Sequence, residues 1–412
     1  MQSIPISALQ KIERLTRNSL YINSLYLGVG KFADAGFGFL FWIIAAHLYS
    51  ITDVGIATAL VSSLGLIMSL SRFGYDTSII RFMPSWNRST IFNSCLWITT
   101  IITILISTVY LVIIEMITPE IAFITSYIPI FMLFTIMNSF TLTTGNAFLS
   151  FREAKYRFLQ NLVLGSRVLL LFPLVIFGSL GIFFSIGFAY LAASFFAVML
   201  IRNFVQFEFK IDRKFVKETF SFSMCNYIAG VLQSTPILIL PILALNMLGS
   251  EQAALYYTAA AIGNLVQIIP DTFCTSFFVE ASHGMNLKKG VLNTLKSMYA
   301  LQIPVIIITM LFSDILLGFF GTEYIVAKDL LVIITLSTIF VSIYTIFIPI
   351  QNVRLHVKGV VLLNLTRFIL LLSLSYCFIC MFGLIGAGLA WMATYILLTA
   401  IIIGIAKSKT WI

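Results

Sequence analysis

Residues Asp53 to Ser85, DVGIATALVSSLGLIMSLSRFGYDTSIIRFMPS, predict the organisation of the whole chain. The stretch begins as an apolar helix of membrane-spanning character and ends in a charged segment that a glycine interrupts. A similar stretch lies 199 positions later, from Gln252 to Gly284. A repeat at a fixed offset indicates that the chain is built from two related halves.

The charges at matched positions of the two stretches are opposite in sign. Arg72 matches Asp271, and Arg81 matches Glu280. Matched residues near the axis of a pseudo-twofold approach each other, so we expect these residues to form gate pairs that close the cytoplasmic mouth of the protein. The alternative is that each contacts lipid headgroups or loops near the cytoplasmic surface.

Composition places the chain among polytopic membrane proteins. Of its 412 residues 60% are hydrophobic and 10% are charged, and its mean hydropathy is +1.03. Apolar stretches long enough to cross a bilayer recur along the chain and leave no interval for a soluble domain. The pattern predicts an all-α fold of twelve spans: 24–47, 53–73, 91–114, 121–148, 158–178, 182–202, 220–247, 252–279, 291–313, 330–350, 359–381 and 384–406.

The basic residues predict the orientation of these spans. On one side of the predicted membrane lie 21 of the 25 lysines and arginines, whereas the opposite loops are acidic. Because basic loops remain in the cytoplasm, both termini are expected there, with an even number of spans. The net charge of +9 follows from this asymmetry, so it indicates no nucleic-acid partner.

The longest cytoplasmic connection, 202–217, divides six spans from six. We therefore predict an N-terminal lobe (1–203), a linker (204–218) and a C-terminal lobe (219–412). Because each half has six spans, the second half enters the membrane in the same sense as the first. Spans 1, 2, 7 and 8 are expected to line a central cavity between the lobes.

Three basic residues fall inside spans: Lys31, Arg167 and Arg367. A charge at mid-bilayer costs at least ~2.5–3.5 kcal/mol, so such residues normally face a cavity or a partner. Asp34 is three residues from Lys31, and it either neutralises that lysine or serves as an ion-coupling acid. Arg167 and Arg367, 200 positions apart, are predicted near-equivalents that either contact an anion or form tertiary pairs.

Other kinds of chemistry have no candidate residues in the sequence. Cys377 and Cys380 have the C-x-x-C spacing of metal or redox sites, but neither a second pair nor a nearby histidine accompanies them, so they are interpreted as packing residues. No nucleotide-binding motif is present. No nucleophile and base form a hydrolytic constellation. We therefore predict a transporter that uses no cofactor, no metal and no ATP, rather than an enzyme.

The stretch IIAAHLYSITDVGIATALVSSLGLIMSLSRFGYDTSIIRFMP, residues 43–84, resembles the opening of polysaccharide flippases. These belong to the multidrug/oligosaccharidyl-lipid/polysaccharide (MOP) superfamily. The shared features are an alanine-containing end of span 1, Asp-x-Gly at the start of span 2, and Ile-Arg-Phe after its glycine. FGLIGAGLA, residues 382–390, is a second match. One departure is His47, where the family usually has arginine.

The resemblance implies flipping of an undecaprenyl-diphosphate-linked oligosaccharide, such as an O-antigen unit, from the cytoplasmic to the periplasmic leaflet of a bacterial inner membrane. Because a diphosphate substrate needs fixed positive charge in the cavity, the span residues Arg167, Arg367 and Lys31 are the expected cavity cations. We expect alternating access driven by an ion gradient or the membrane potential, with Asp34 as the candidate coupling acid. Besides the carrier lipid and the bilayer, a polymerase complex is an expected partner.

Two alternatives remain open at this point. A MATE-type exporter of drugs or cations would share the fold and would use Asp34 as its ion-coupled acid. The two span arginines argue against it, because a cation-binding cavity is expected to be acidic. A membrane-embedded glycan polymerase or transferase would act on the same lipid, but it usually carries a large outer loop, and the outer loops here are short.

Overall fold

The computed structural model describes residues 19–83, 85–282, 287–354 and 356–408. Its regular elements are helical, and the described residues contain no strand. The described residues form fifteen α-helices, and short 3-10 helices lie at Pro119–Tyr127, Val175–Phe177 and Thr322–Ala327. In chain order the α-helices are α1 Ser19–Leu48, α2 Ile51–Ser71, α3 Tyr75–Phe82, α4 Arg88–Ile117, α5 Ile128–Ser150, α6 Ala154–Gly165, α7 Arg167–Leu170, α8 Ser179–Ile201, α9 Arg213–Leu248, α10 Ser250–Ser282, α11 Leu287–Leu311, α12 Ser313–Gly318, α13 Lys328–Val353, α14 Val357–Phe382 and α15 Leu384–Ser408.

The predicted all-α, polytopic membrane architecture is confirmed. Ten helical segments of the described chain are long and apolar enough to cross a membrane, and Ala33–Leu48 of α1 is a shorter apolar helix. Large apolar side chains on these helices are exposed, as expected where lipid is the solvent: Val112, Phe195, Leu311 and Ile369. The count of twelve spans and the cytoplasmic location of the termini stay predictions.

The predicted fifth span, 158–178, is not one continuous helix. Helix α6 ends at Gly165, α7 is a single turn that begins at Arg167, and a 3-10 turn follows at Val175–Phe177. The cause lies in the local sequence, because Pro173 has no N–H to donate and Gly165 and Ser166 are weak helix formers. Arg167 therefore lies at an interruption of the helix.

Corresponding helices of the two halves begin 199 residues apart in the first part of each half. Helix α2 begins at Ile51 and α10 at Ser250, and the same offset relates the first residues of α4 and α11. Farther along the chain the offset grows. It is 203 for the first residues of α6 and α14, and 205 for Gly178 and Gly383, which share a positive φ (54° and 59°) before their helices.

This growing offset means that Arg167 and Arg367 are not equivalent positions. Arg167 precedes Gly178 by eleven residues, whereas Arg367 precedes Gly383 by sixteen. The difference exceeds one helical turn. Arg167 and Arg367 therefore occupy different positions in their respective halves.

The repeat also breaks where the charged segment begins. Phe73 and Gly74 have positive φ values of 46° and 73°, which end α2 and start α3. A Cβ at Gly74 would overlap the backbone of Ser223, so only glycine fits there. The matched positions of the second half, Thr272 and Phe273, continue α10 because no glycine permits the turn.

The chain folds into two compact units, each assembled from separate stretches of sequence. Unit one comprises residues up to 45, 67–115 and 123–227; unit two comprises 46–66, 116–122 and 228 onward. Unit one has an aromatic core that includes Tyr75, Phe92, Phe148 and Phe215. Unit two includes a smaller cluster around Cys274, Phe277 and Ile346. The lobe boundaries given above stay predictions.

The predicted linker, 204–218, is attached to unit one and is partly helical. Helix α9 already begins at Arg213, because the Asp212 carboxylate accepts a 2.8 Å hydrogen bond from the Phe215 amide. The preceding residues are held by α4, where Asn93 and Trp97 donate to the carbonyls of Gln206 and Glu208. This connection is therefore packed against its own unit.

Candidate functional site

Arg167 and Asp34 form a tertiary ion pair in unit one. The distance between Arg167 Nη2 and Asp34 Oδ1 is 3.7 Å, longer than a direct hydrogen bond, and the two side chains are 18% and 53% exposed. Gly38 makes room for the guanidinium, whose Cζ lies 5.7 Å from the centre of the Phe41 ring. Arg167 Nε is buried without a partner among the described residues. The pair leaves donors available for another anion.

The sequence left open whether Asp34 pairs with Lys31. The structure pairs it with Arg167, which is 133 positions away. The Lys31 side chain lies outside the described residues, so its part in the site stays a prediction.

A second polar network in unit one links α3, α5 and α6. Arg72 Nη1 lies 3.7 Å from Asp76 Oδ2. Asn146 donates to the Asp76 carbonyl at 3.1 Å and accepts from Arg157 Nη1 at 3.0 Å. Gly145 permits this approach, because a Cβ there would lie 2.6 Å from Arg157 Nη1. Burial raises the pKa of Asp76, which lies outside the spans, and the Arg72 charge opposes that shift.

Tyr190 of α8 lies close to both clusters. Its side chain is within electrostatic range of Arg167, Asp34 and Arg72, and Arg157 is within range of Asp34. Unit one therefore brings three guanidinium groups together with two carboxylates. In the described part of unit one, Arg157 bonds an amide oxygen and has no carboxylate within 4 Å. The cluster has an excess of positive charge.

Sequence reasoning did not assign Arg72 and Arg157 to this cluster. The predicted spans 121–148 and 158–178 place Arg157 in the loop between them, and the predicted gate places Arg72 near the cytoplasmic surface. In the structure Arg157 is part of helix α6. The available signal was the run of polar residues in the facing helix, Thr141, Thr143, Thr144 and Asn146, all of which are buried.

Arg367 has a different environment, in unit two. Its side chain is only 2% exposed, and its donors contact the Tyr395 hydroxyl and the Gln233 backbone carbonyl. No carboxylate of the described chain lies within 4 Å of it. In this conformation the predicted contact of Arg367 with an anionic substrate would require its present bonds to break.

The four predicted gate residues are divided between the two units. Arg72 and Arg81 are in unit one, and Asp271 and Glu280 are in unit two. Arg81, Asp271 and Glu280 are exposed, whereas Arg72 is half-buried beside Asp76. The pairing across the two halves stays a prediction.

The fold is similar to the folds of solved MOP-superfamily transporters. It resembles an inward-facing MATE multidrug transporter of that superfamily with a TM-score of 0.73 and 13% identity, covering 91% of this chain and 94% of the other. It also resembles the Lipid II flippase MurJ in an inward closed conformation, with a TM-score of 0.75 and 13% identity, covering 93% of this chain and 87% of the other. A third similar structure is a MOP-superfamily transporter from Pyrococcus furiosus, described as having a binding pocket of reversed polarity. Its TM-score is 0.64 and its identity 14%, covering 96% of this chain and 97% of the other.

Residues 20–269, more than half of the chain, match the family model described as polysaccharide biosynthesis protein. The chain therefore belongs to the polysaccharide biosynthesis protein family. No curated protein matches the sequence.

Proposed function

We propose that this protein flips a polyprenyl-diphosphate-linked oligosaccharide, such as an O-antigen unit on undecaprenyl diphosphate, from the cytoplasmic to the periplasmic leaflet of a bacterial inner membrane. The family supports a role in polysaccharide biosynthesis. The observation that carries the proposal is the cluster of Arg72, Arg157 and Arg167 around Asp34, Asp76 and Tyr190 in unit one. A carrier diphosphate needs fixed positive charge, and a guanidinium matches phosphate geometry through paired donors.

The geometry of the Arg167–Asp34 pair supports anion exchange. At 3.7 Å and with a half-exposed carboxylate, the pair contributes only ~0–1 kcal/mol. An incoming phosphate can displace Asp34 from Arg167 at low cost. The released carboxylate is then able to take up a proton or cation, which would link substrate binding to an ion gradient.

A gradient or membrane potential suffices to drive such a cycle. Moving one charge across 100 mV changes its free energy by ~2.3 kcal/mol. The cycle is alternating access, in which the substrate site opens to each side in turn. A polymerase complex is the partner that would receive the flipped oligosaccharide.

The MATE-type alternative is less well supported. A cation exporter would need an acidic site, but the described arginines of unit one outnumber the carboxylates beside them, and Asp34 is held by Arg167. The fold accommodates both kinds of transporter, as its similarity to MATE and MurJ structures indicates. The positive charge of the cluster therefore favours the flippase over the exporter.

The test is a leaflet-accessibility assay in proteoliposomes that contain a fluorescent undecaprenyl-diphosphate oligosaccharide. Arg167→Ala and Arg157→Ala should each slow flipping about tenfold or more, because a hydrogen bond to a charged group is worth ~1.5–3 kcal/mol. Arg202→Ala is the control, since Arg202 is an exposed arginine of unit one outside the cluster. It should flip at the unaltered rate.

Two results would contradict the proposal. One is wild-type flipping by both site variants at equal protein levels. The other is gradient-dependent export of organic cations with no movement of the lipid-linked oligosaccharide.

A further inference from the structure

Arg367 is a buried cation whose hydrogen-bond partners in the described chain are neutral groups. Its Nε donates to the Tyr395 hydroxyl at 2.8 Å, and its Nη1 donates to the Gln233 carbonyl at 3.0 Å. Its Cζ lies 5.5 Å from the ring centre of Tyr344 and 5.8 Å from that of Tyr395. The Tyr344 hydroxyl donates in turn to the Asn364 side-chain oxygen. These contacts join α9, α13, α14 and α15 within unit two.

The Gln233 carbonyl belongs to a turn of α9 that contains a proline. Pro236 follows it by three residues and lies inside the helix. Pro236 has no N–H to donate to the Leu232 carbonyl four residues earlier, and its ring crowds that carbonyl. The kink that proline favours also weakens the neighbouring bond from the Ile237 N–H to the Gln233 carbonyl. In a membrane the affected carbonyls need donors from neighbouring helices. The Arg367 guanidinium is such a donor.

Stability alone does not explain a charge at this position. Apolar residues of similar volume often stabilise a protein more than buried charges do. A guanidinium suits a bond that must hold in one conformation and break in another, because it is weakly hydrated for a cation and its donors can pair with an anion once it is released.

We propose that Arg367 is a positioning residue that caps the proline turn of α9 and holds unit two in the conformation seen here. During the transport cycle α9 changes shape at Pro236, and the bond to the Gln233 carbonyl breaks. Arg367 therefore acts through α9 rather than by binding substrate in this state. The role of Arg367 in transport rests on the proposed flipping function, whereas its role as a cap of α9 does not.

The test is hydrogen exchange of the α9 amides, measured by mass spectrometry on the full chain in lipid nanodiscs. Arg367→Met keeps the volume but removes the donors, and it should speed exchange between residues 233 and 240 about tenfold. Pro236→Ala restores the bond to the Leu232 carbonyl and removes the cause of a kink, so that the Ile237 N–H can bond the Gln233 carbonyl. Adding Arg367→Met to Pro236→Ala should then leave exchange within about twofold of that of Pro236→Ala alone.

Pro241 supplies the matched control, because it lies in the same helix one turn farther on. In the Pro241→Ala background the effect of Arg367→Met should persist at full size, since Pro236 is still present. If Arg367→Met is not stable enough to purify, Arg367→Lys provides the same comparison, with a smaller increase in exchange because one ammonium replaces the planar fork.

Substrate measurements separate the cap from a binding role. Arg367→Met should slow flipping while leaving the Kd of the lipid-linked diphosphate within about twofold, whereas Arg167→Ala should weaken binding. Equal speeding of exchange by Arg367→Met with and without Pro236 would overturn the proposal, as would a loss of affinity equal to that of Arg167→Ala. Exchange does not depend on the transported molecule, so a failure of the flipping function would remain distinguishable.

Discussion

At the scale of single residues, Asp34 and a substrate phosphate are expected to compete for Arg167. The Asp34→Asn variant should therefore bind the lipid-linked diphosphate more tightly, by up to about fivefold, which corresponds to the ~1 kcal/mol upper value for an exposed pair. Titration of purified protein in nanodiscs with the fluorescent substrate measures this. Glu153→Gln is the control, because Glu153, the residue before α6, pairs with Lys155 in the first turn of that helix. An unchanged Kd for Asp34→Asn would exclude competition.

Asp76 makes a second residue-scale prediction, on pH. Burial raises its pKa in the folded protein above the ordinary value of 3.8, despite the Arg72 charge. The folded state therefore binds this proton more tightly than the unfolded state, and its stability falls as pH rises from 3.8 through the raised pKa. In the Asp76→Asn variant, the Tm measured in detergent should fall less as the pH rises through that window. A pH profile identical to that of the unaltered protein would contradict this assignment.

At the scale of elements, two glycines of α2 test how closely it packs in unit two. A Cβ at Gly55 would overlap the Ser250 backbone carbonyl at the start of α10, which has no room to move. A Cβ at Gly65 would lie 2.8 Å from a terminal methyl of Leu238, which can rotate away. Gly55→Ala should thus destabilise the protein by ~1–3 kcal/mol and Gly65→Ala by less than ~1 kcal/mol. Equal Tm shifts for the two variants would show that this packing is not rigid.

At the scale of the whole molecule, the opposite charges at matched positions predict a gate. Arg72 with Asp271, and Arg81 with Glu280, are expected to pair when the cytoplasmic mouth closes. Partly solvated pairs contribute ~0–1 kcal/mol each, which suits a gate that reopens. Asp271→Arg should shift the population toward the cytoplasm-open state and slow flipping. The exchange of charges in Arg72→Asp with Asp271→Arg should restore part of the rate.

The double variant is the decisive measurement for this gate. Additive losses in the two single variants, with no recovery in the exchange, would show that the repeat reflects ancestry alone. Arg72 has a second partner, Asp76 at 3.7 Å. Arg72→Asp in an Asp76→Asn background separates the loss of that local pair from the loss of the gate.

The sequence by itself determined the membrane class, the predominance of helix and the repeat. These follow from local properties: apolar length sets where a helix can span, and small or polar residues set where it begins. The matched starts of α2 and α10 at the predicted 199-residue offset are the clearest case. The same local chemistry, in Gly165, Ser166 and Pro173, interrupts the predicted fifth span, although apolar length alone indicated a continuous one.

Only the tertiary structure decided which charges meet. Asp34 had a candidate partner three residues away, yet the observed partner is Arg167, and Arg157 joined the cluster from a segment interpreted as a loop. Arg367 looked like the counterpart of Arg167 but is held by tyrosines and a backbone carbonyl. The physical reason is geometric. Each residue turns a helix by about 100°, so a shift of a few residues between the halves redirects a side chain to a different neighbour.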